Sequence, residues 1–123
     1  MIITNNPLVE TKFKDTVKVK FFDTKYIDIL VKVRDLVHVG HKLLSHPLSG
    51  SVKPNETPYK SILISEEKGK MDMKSIMVIE DSLNTAKKFL KDKETPKWDD
   101  KILDDFQVID LSLIENTLEN INF

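Results

Sequence analysis

The chain contains no cysteine. A disulfide framework, a thiolate nucleophile, a cysteine-type zinc site and a cysteine-held iron–sulfur cluster are all excluded. Glycine is scarce as well. Only Gly40, Gly50 and Gly69 occur, so the first 39 residues hold no glycine-rich dinucleotide fingerprint. No sign of charge dominates: 19 Lys+Arg face 20 Asp+Glu, a net charge of −1. That balance argues against binding nucleic acid through a broad cationic face. The longest apolar run is Ile76-Met77-Val78-Ile79, far short of the roughly 20 residues of a membrane-spanning helix. The opening residues carry no secretory core, so a cytoplasmic protein is expected.

What remains is the composition of a globular protein, 40% hydrophobic and 32% charged over 123 residues. That length predicts one domain, 1–123. Charge is unevenly spread. Residues 1–71 carry 12 basic and 8 acidic side chains, whereas 72–123 carry 7 and 12. The surplus in the first part is compatible with a small anion site there.

Strands and helices are expected to alternate. Met1 to Thr4 reads as a buried strand. Asn6 and Pro7 are an N-cap and a first helical residue, predicting a short helix over 7–13. Val17 to Phe22 alternates and is rich in β-branched and aromatic residues, which predicts a second strand. Asp23-Thr24 is expected to cap a helix over 25–39, ended by Gly40. His41 to Ser45 predicts a third strand and Ser61 to Ser65 a fourth. Met73, Ile76, Ile79, Leu83, Ala86 and Leu90 fit a helix over 73–91. A charged linker follows, carrying Trp98, the only tryptophan; large aromatics in linkers commonly pin them to the body. Asp105 to Leu111 predicts a fifth strand, and Ser112 with Glu115 a capping box opening a terminal helix. The expected fold is α/β: a single layered domain with a mixed, mostly parallel sheet of four or five strands flanked by helices.

The chemistry concentrates between residues 38 and 60. His38, His41 and His46 all fall there, with Pro47, Pro54 and Pro58. The stretch Pro47 to Tyr59 predicts a loop of unusual length for a plain connector. Ser49-Gly50-Ser51 can form an anion-binding nest, with Lys53 and Lys60 nearby. It does not match the Walker phosphate loop. Asn55, Thr57 and Tyr59 add hydrogen-bonding groups to the same loop. His46 and Glu56 are the best acid/base pair. No metal site is assigned, because a strand between His41 and His46 would hold them about 17 Å apart at roughly 3.3 Å per residue. Asn5 and Asn6 end the first strand and Asp23 the second, at the sheet edge where α/β folds bind ligands. Helix capping explains Asn6 and Asp23 equally well. The ligand-binding candidates are thus Asn5, Asn6, His41, His46, Ser49, Gly50, Ser51, Lys53, Asn55, Glu56, Thr57 and Tyr59.

Several runs together resemble one family. They are Ile3-Thr4-Asn5-Asn6-Pro7-Leu8, Val33-Arg34-Asp35-Leu36-Val37-His38, Gly40-His41, His46-Pro47-Leu48, Lys53-Pro54-Asn55-Glu56-Thr57-Pro58-Tyr59 and Phe106-Gln107-Val108-Ile109-Asp110. The chain resembles the GrdX family over nearly its whole length. The resemblance implies an accessory protein encoded with the glycine, sarcosine and betaine reductase system of anaerobic amino-acid fermenters. It implies no reaction, cofactor or catalytic residue. The expected function is accessory or regulatory, through binding of a reductase component or a small anionic ligand by the 46–60 loop. A small enzyme using His46 and Glu56, and a homodimer joined by the loop, are the alternatives.

Overall fold

In the computed structural model, which describes residues 1–50 and 52–121, strand β1 (Ile2–Thr4) is central. Its three residues are fully buried. Asn6 caps helix α1 (Pro7–Phe13) by accepting the Leu8 N–H at 3.0 Å, with Pro7 opening the helix as expected. The chain returns as β2 (Val19–Phe21), parallel to β1, and enters α2 (Tyr26–His38). Gly40 ends that helix at φ +113°. Strand β3 (Ser61–Leu63) pairs antiparallel on the other side of β1. Two long helices complete the order, α3 (Met73–Asp92) and α4 (Asp100–Asn120).

The sheet is mixed but has three strands in the order β2-β1-β3, not four or five, and its two pairings are one parallel and one antiparallel. The expected strand over 41–45 is reduced to a single bridge, Leu43 with Ile64. Serine hydroxyls take up the hydrogen bonds that a longer ladder would use. The Lys42 N–H donates to Ser65 Oγ at 2.7 Å and the Leu43 N–H to Ser75 Oγ at 3.0 Å. Ser45 Oγ accepts the Leu63 N–H at 2.9 Å.

The expected strand over 105–111 is also corrected, because it lies inside α4. Asp99 caps that helix by accepting the Ile102 N–H at 2.9 Å. The inward positions are Phe106, Asp110, Ile114 and Leu118, at helical spacing. Val108 and Ile109 are 53% and 42% exposed, so two apolar residues on the outside imitate a strand. Ser112 is exposed within the helix and opens nothing, so the capping box fails too.

Strand alternation sends side chains to two faces. Ile3, Ile62 and Ile64 face α2 and α3, packing with Ile29, Leu30, Val33, Val37, Ile79 and Leu83. Ile2 and Leu63 face α1 and α4, with Val9 and Ile114. The result is three layers, helices–sheet–helices. Among the described residues no helix is long and apolar enough to cross a membrane.

Candidate functional site

The C-terminal end of β1 meets the start of β3, and both present polar groups there. Thr4 and Ser61 are register partners, and their hydroxyls lie 2.6 Å apart. Both face α4, because they sit two residues along from Ile2 and Leu63 respectively. There they meet Asp110, which is 5% exposed. Its carboxylate accepts the Ser61 hydroxyl at 2.6 Å, the Ser61 N–H at 3.1 Å and the Asn6 side-chain amide at 3.0 Å. Burial pushes this carboxyl above the usual range, against the pull of its bonds to Ser61 and Asn6 and of the Lys60 charge.

Lys60 is the second buried charge, also 5% exposed. Burial pulls its ammonium down, with Asp110 opposing. Its Nζ donates to the Ser49 carbonyl at 3.4 Å. Tyr26 stands beside the pair, its hydroxyl pushed up by burial and then by the Asp110 charge. Tyr26, Ser49, Tyr59, Lys60 and Asp110 line a small cleft of about 10 Å³, room for about one water molecule.

A larger cleft opens over the same strand ends. It has a volume of about 770 Å³ and is lined by Asn5, Asp23, Thr24, Lys25, Tyr26, Pro58, Tyr59 and residues of the α3–α4 connection. One wall is the start of α2. Lys25 is its N-cap and makes no side-chain capping bond; the exposed Asp23 therefore does not cap the helix, as it was expected to. A helix start without a side-chain cap leaves backbone N–H groups for solvent or ligand. Thr24 Oγ1 is buried in this wall without a hydrogen-bond partner.

Apart from His41 and Ser51, the candidate residues fall into three groups. Asn5 and Asn6 are brackets. Asn5 donates to the Thr24 and Pro58 carbonyls at 2.9 and 2.8 Å and accepts the Lys60 N–H at 2.8 Å, so it joins three segments under the cleft. Asn6 caps α1 and ties it to α4 through the Gln107 carbonyl at 2.9 Å and Asp110. The second group folds the loop. Thr57 Oγ1 accepts the Tyr59 N–H at 3.2 Å, Tyr59 OH accepts the Gln107 side-chain amide at 2.9 Å, and the Asn55 amide donates to the Phe89 carbonyl at 3.2 Å. Gly50 has φ +102°, and a Cβ there would sit 2.8 Å from Leu113 Cδ1. Ser51 lies outside the described residues. The third group is exposed: His46, Ser49, Lys53 and Glu56.

No hydrogen bond or ion pair joins His46 to Glu56 among the described residues. His46 Nδ1 accepts the Leu48 N–H at 3.1 Å and the residue lines a separate cleft with Lys42, Asp72 and Lys74. Glu56 takes part through its backbone carbonyl, which accepts Trp98 Nε1–H at 2.7 Å. The three histidines part company. His38 pairs with Glu80 at 3.0 Å and the buried His41 bonds the Ser65 carbonyl at 2.8 Å.

Asp110, Tyr26 and Thr24 were not singled out as site residues by the sequence reading. Asp110 carried a usable signal, as a lone acid in register with the apolar positions 106, 114 and 118. No curated protein and no solved structure matches the chain. A family description does match, that of the GrdX-like protein, over residues 1–119. With nearly every residue from the first strand to the end of α4 inside that match, the chain belongs to the GrdX-like protein family.

Proposed function

We propose that the chain is an accessory protein of glycine reductase-type amino-acid fermentation that binds a small anionic ligand in the cleft at the end of β1. The metabolic setting rests on the family. The ligand reading rests on one observation: Thr24 Oγ1, buried and unpartnered, lies in the cleft wall beside a helix start with no side-chain cap. A buried hydroxyl without a partner is what a ligand or ordered water satisfies. Lys25 supplies a positive charge, while Asp23 and Glu94 also line the cleft. With one basic and two acidic lining side chains, the site suits a compact ligand whose anionic group sits at Lys25 and the start of α2, such as a zwitterion, better than a polyanion. The 46–60 loop contributes through its last residues, Pro58 and Tyr59. Its exposed His46, Ser49, Lys53 and Glu56 favour a second reading, contact with a reductase component.

The test is a thermal-shift series with phosphate, acetyl phosphate, glycine, sarcosine and betaine. A probe at 100 times its Kd stabilises by about 2.7 kcal/mol. Thr24→Val and Lys25→Ala are expected to lose the shift and Lys53→Ala to keep it. A shift that survives Thr24→Val and Lys25→Ala overturns the cleft. If no probe binds and a reductase component binds in a Lys53- and Glu56-dependent way, the second reading replaces the first.

A further inference from the structure

The connection between α3 and α4 forms part of the cleft. Leu90, Glu94, Thr95 and Pro96 line it opposite the start of α2. The segment 93–99 leaves α3 through Lys93, at φ −156° and ψ 126°, and enters α4 through Asp99, at φ −71° and ψ 169°. Each end is one extended residue beside a regular helix, the form of a hinge that need not disturb either helix. Between them Glu94 and Lys97 are exposed, and Thr95, Pro96 and Trp98 are half-buried.

Very little holds this segment down. Among the described residues, one hydrogen bond runs from 94–98 to the body outside the flanking helices, Trp98 Nε1–H to the Glu56 carbonyl at 2.7 Å. Within 94–98 the other bond is internal, the Trp98 N–H to the Pro96 carbonyl at 3.1 Å, while the ends bond only the flanking helices, as the Lys93 N–H does the Phe89 carbonyl at 3.1 Å. The Trp98 ring leans on Phe106 of α4, with centroids 5.7 Å apart and planes tilted by 48°. On the other side, Glu56 stands in the loop whose Pro58 and Tyr59 also line the cleft. The latch therefore joins two segments that contribute to the cleft. A segment with no fully buried residue and a single tether to the body has the marks of a unit that opens below the free energy of global unfolding.

We propose that residues 93–99 are a strap that opens and closes the cleft, with Trp98 as its latch on the Glu56 carbonyl. The role of the strap as a regulator of ligand access rests on the cleft being the binding site. Its opening as a unit does not.

Two measurements separate those claims. Hydrogen exchange on the full chain is expected to show the Lys93 and Trp98 amides, the hydrogen-bonded N–H groups of the strap, roughly 100-fold less protected than α2 and α3. Trp98→Phe keeps a ring against Phe106 and removes the donor to Glu56. It is expected to raise exchange of the Lys93 and Trp98 amides and of 56–60 by roughly tenfold, as loss of one hydrogen bond would, with α2, α3 and the thermal midpoint unchanged. Uniformly faster exchange, a global loss of stability, or no change in 93–99 each overturns the strap. Should Trp98→Phe fail to fold, the wild-type exchange pattern still decides, since equal protection of 93–99 and α3 excludes a separate unit. Trp98 is the only tryptophan, so its emission and acrylamide quenching read the latch directly. A probe from the phosphate, acetyl phosphate, glycine, sarcosine and betaine series that binds is expected to reduce quenching at least twofold, and binding without such change overturns the regulatory role. If none of them binds while the strap still opens alone, the ligand reading fails and the strap stands.

Discussion

The two faces of the small sheet are built on opposite principles. Toward α2 and α3 the strands present Ile3, Ile62 and Ile64 to an apolar layer in which Ile29, Leu30, Val33, Val37 and Ile79 are all completely buried. Toward α1 and α4 the same strands present Ile2 and Leu63, and then Thr4 and Ser61, which end on the buried Asp110. Apolar burial is non-directional and scales with area. A buried hydrogen-bonded carboxylate is directional and costly when broken. The first face therefore supplies stability, and the second fixes where α4 sits relative to the strand ends under the cleft. The lesson is one of placement: the directional bonds lie at the end of β1 that carries the site, while the opposite face is apolar.

The largest effect is expected on the apolar face. Leu30→Ala should cost about 4 kcal/mol in urea unfolding, the sum of lost transfer energy and a cavity that α2 and α3 cannot close. The denaturant slope should stay the same. A cost below about 1 kcal/mol would mean that this face is not the main source of stability.

Asp110 is the next test. Asp110→Ala strips partners from the Ser61 N–H and hydroxyl and should cost about 3 kcal/mol. Asp110→Asn keeps one acceptor and should cost about 1 kcal/mol. The pH dependence has a definite sign. Burial raises the folded carboxyl above its unfolded value, although Ser61, Asn6 and Lys60 oppose the rise. The group's contribution is therefore fully present below about pH 4 and declines as pH rises through the folded value. Wild type should be most favoured over Asp110→Asn in acid, by urea unfolding at several pH values. An advantage that grows with pH would show the carboxylate to be the form the fold prefers.

The same contrast explains what could be read beforehand. The apolar face was legible because its residues follow simple periods: the helical repeat of α2, stopped by Gly40, and the apolar repeat of α3. The polar face broke those rules. Asp110 occupies an inward helical position while Val108 and Ile109 point outward, so α4 read as a strand. Ser45, Ser65 and Ser75 hydroxyls replaced ladder partners and shortened the sheet. At the site, the importance of Asn5 and Asn6 could be foreseen from their place at a strand end. Their partners could not. Asn6 and Asp110 lie 104 residues apart, and Ser61 and Asp110 lie 49 apart. That no hydrogen bond or ion pair joins His46 to Glu56 among the described residues has the converse reason. Nearness within a loop does not bring side chains together once prolines and backbone bonds set its path.

The smallest expected effect compares the two glycines of positive φ, one on each side of the sheet. A side chain at Gly40 would run into the backbone carbonyl of Gly69, a residue already held by the hydrogen bond its N–H donates to the Gly40 carbonyl at 3.0 Å. At Gly50 the obstacle is the end of a side chain, Leu113 on α4, and that can rotate away. Both positions also impose a backbone conformation unfavourable to alanine. Gly40→Ala should therefore cost about 2 kcal/mol and Gly50→Ala about 1 kcal/mol. Urea unfolding gives both values. The sharper outcome lies in Leu113→Ala combined with Gly50→Ala: the double variant should recover part of the Gly50 penalty, a coupling of roughly 0.5 kcal/mol or more. Strict additivity would show that φ alone makes Gly50 costly to replace, and that the loop does not lean on α4 there.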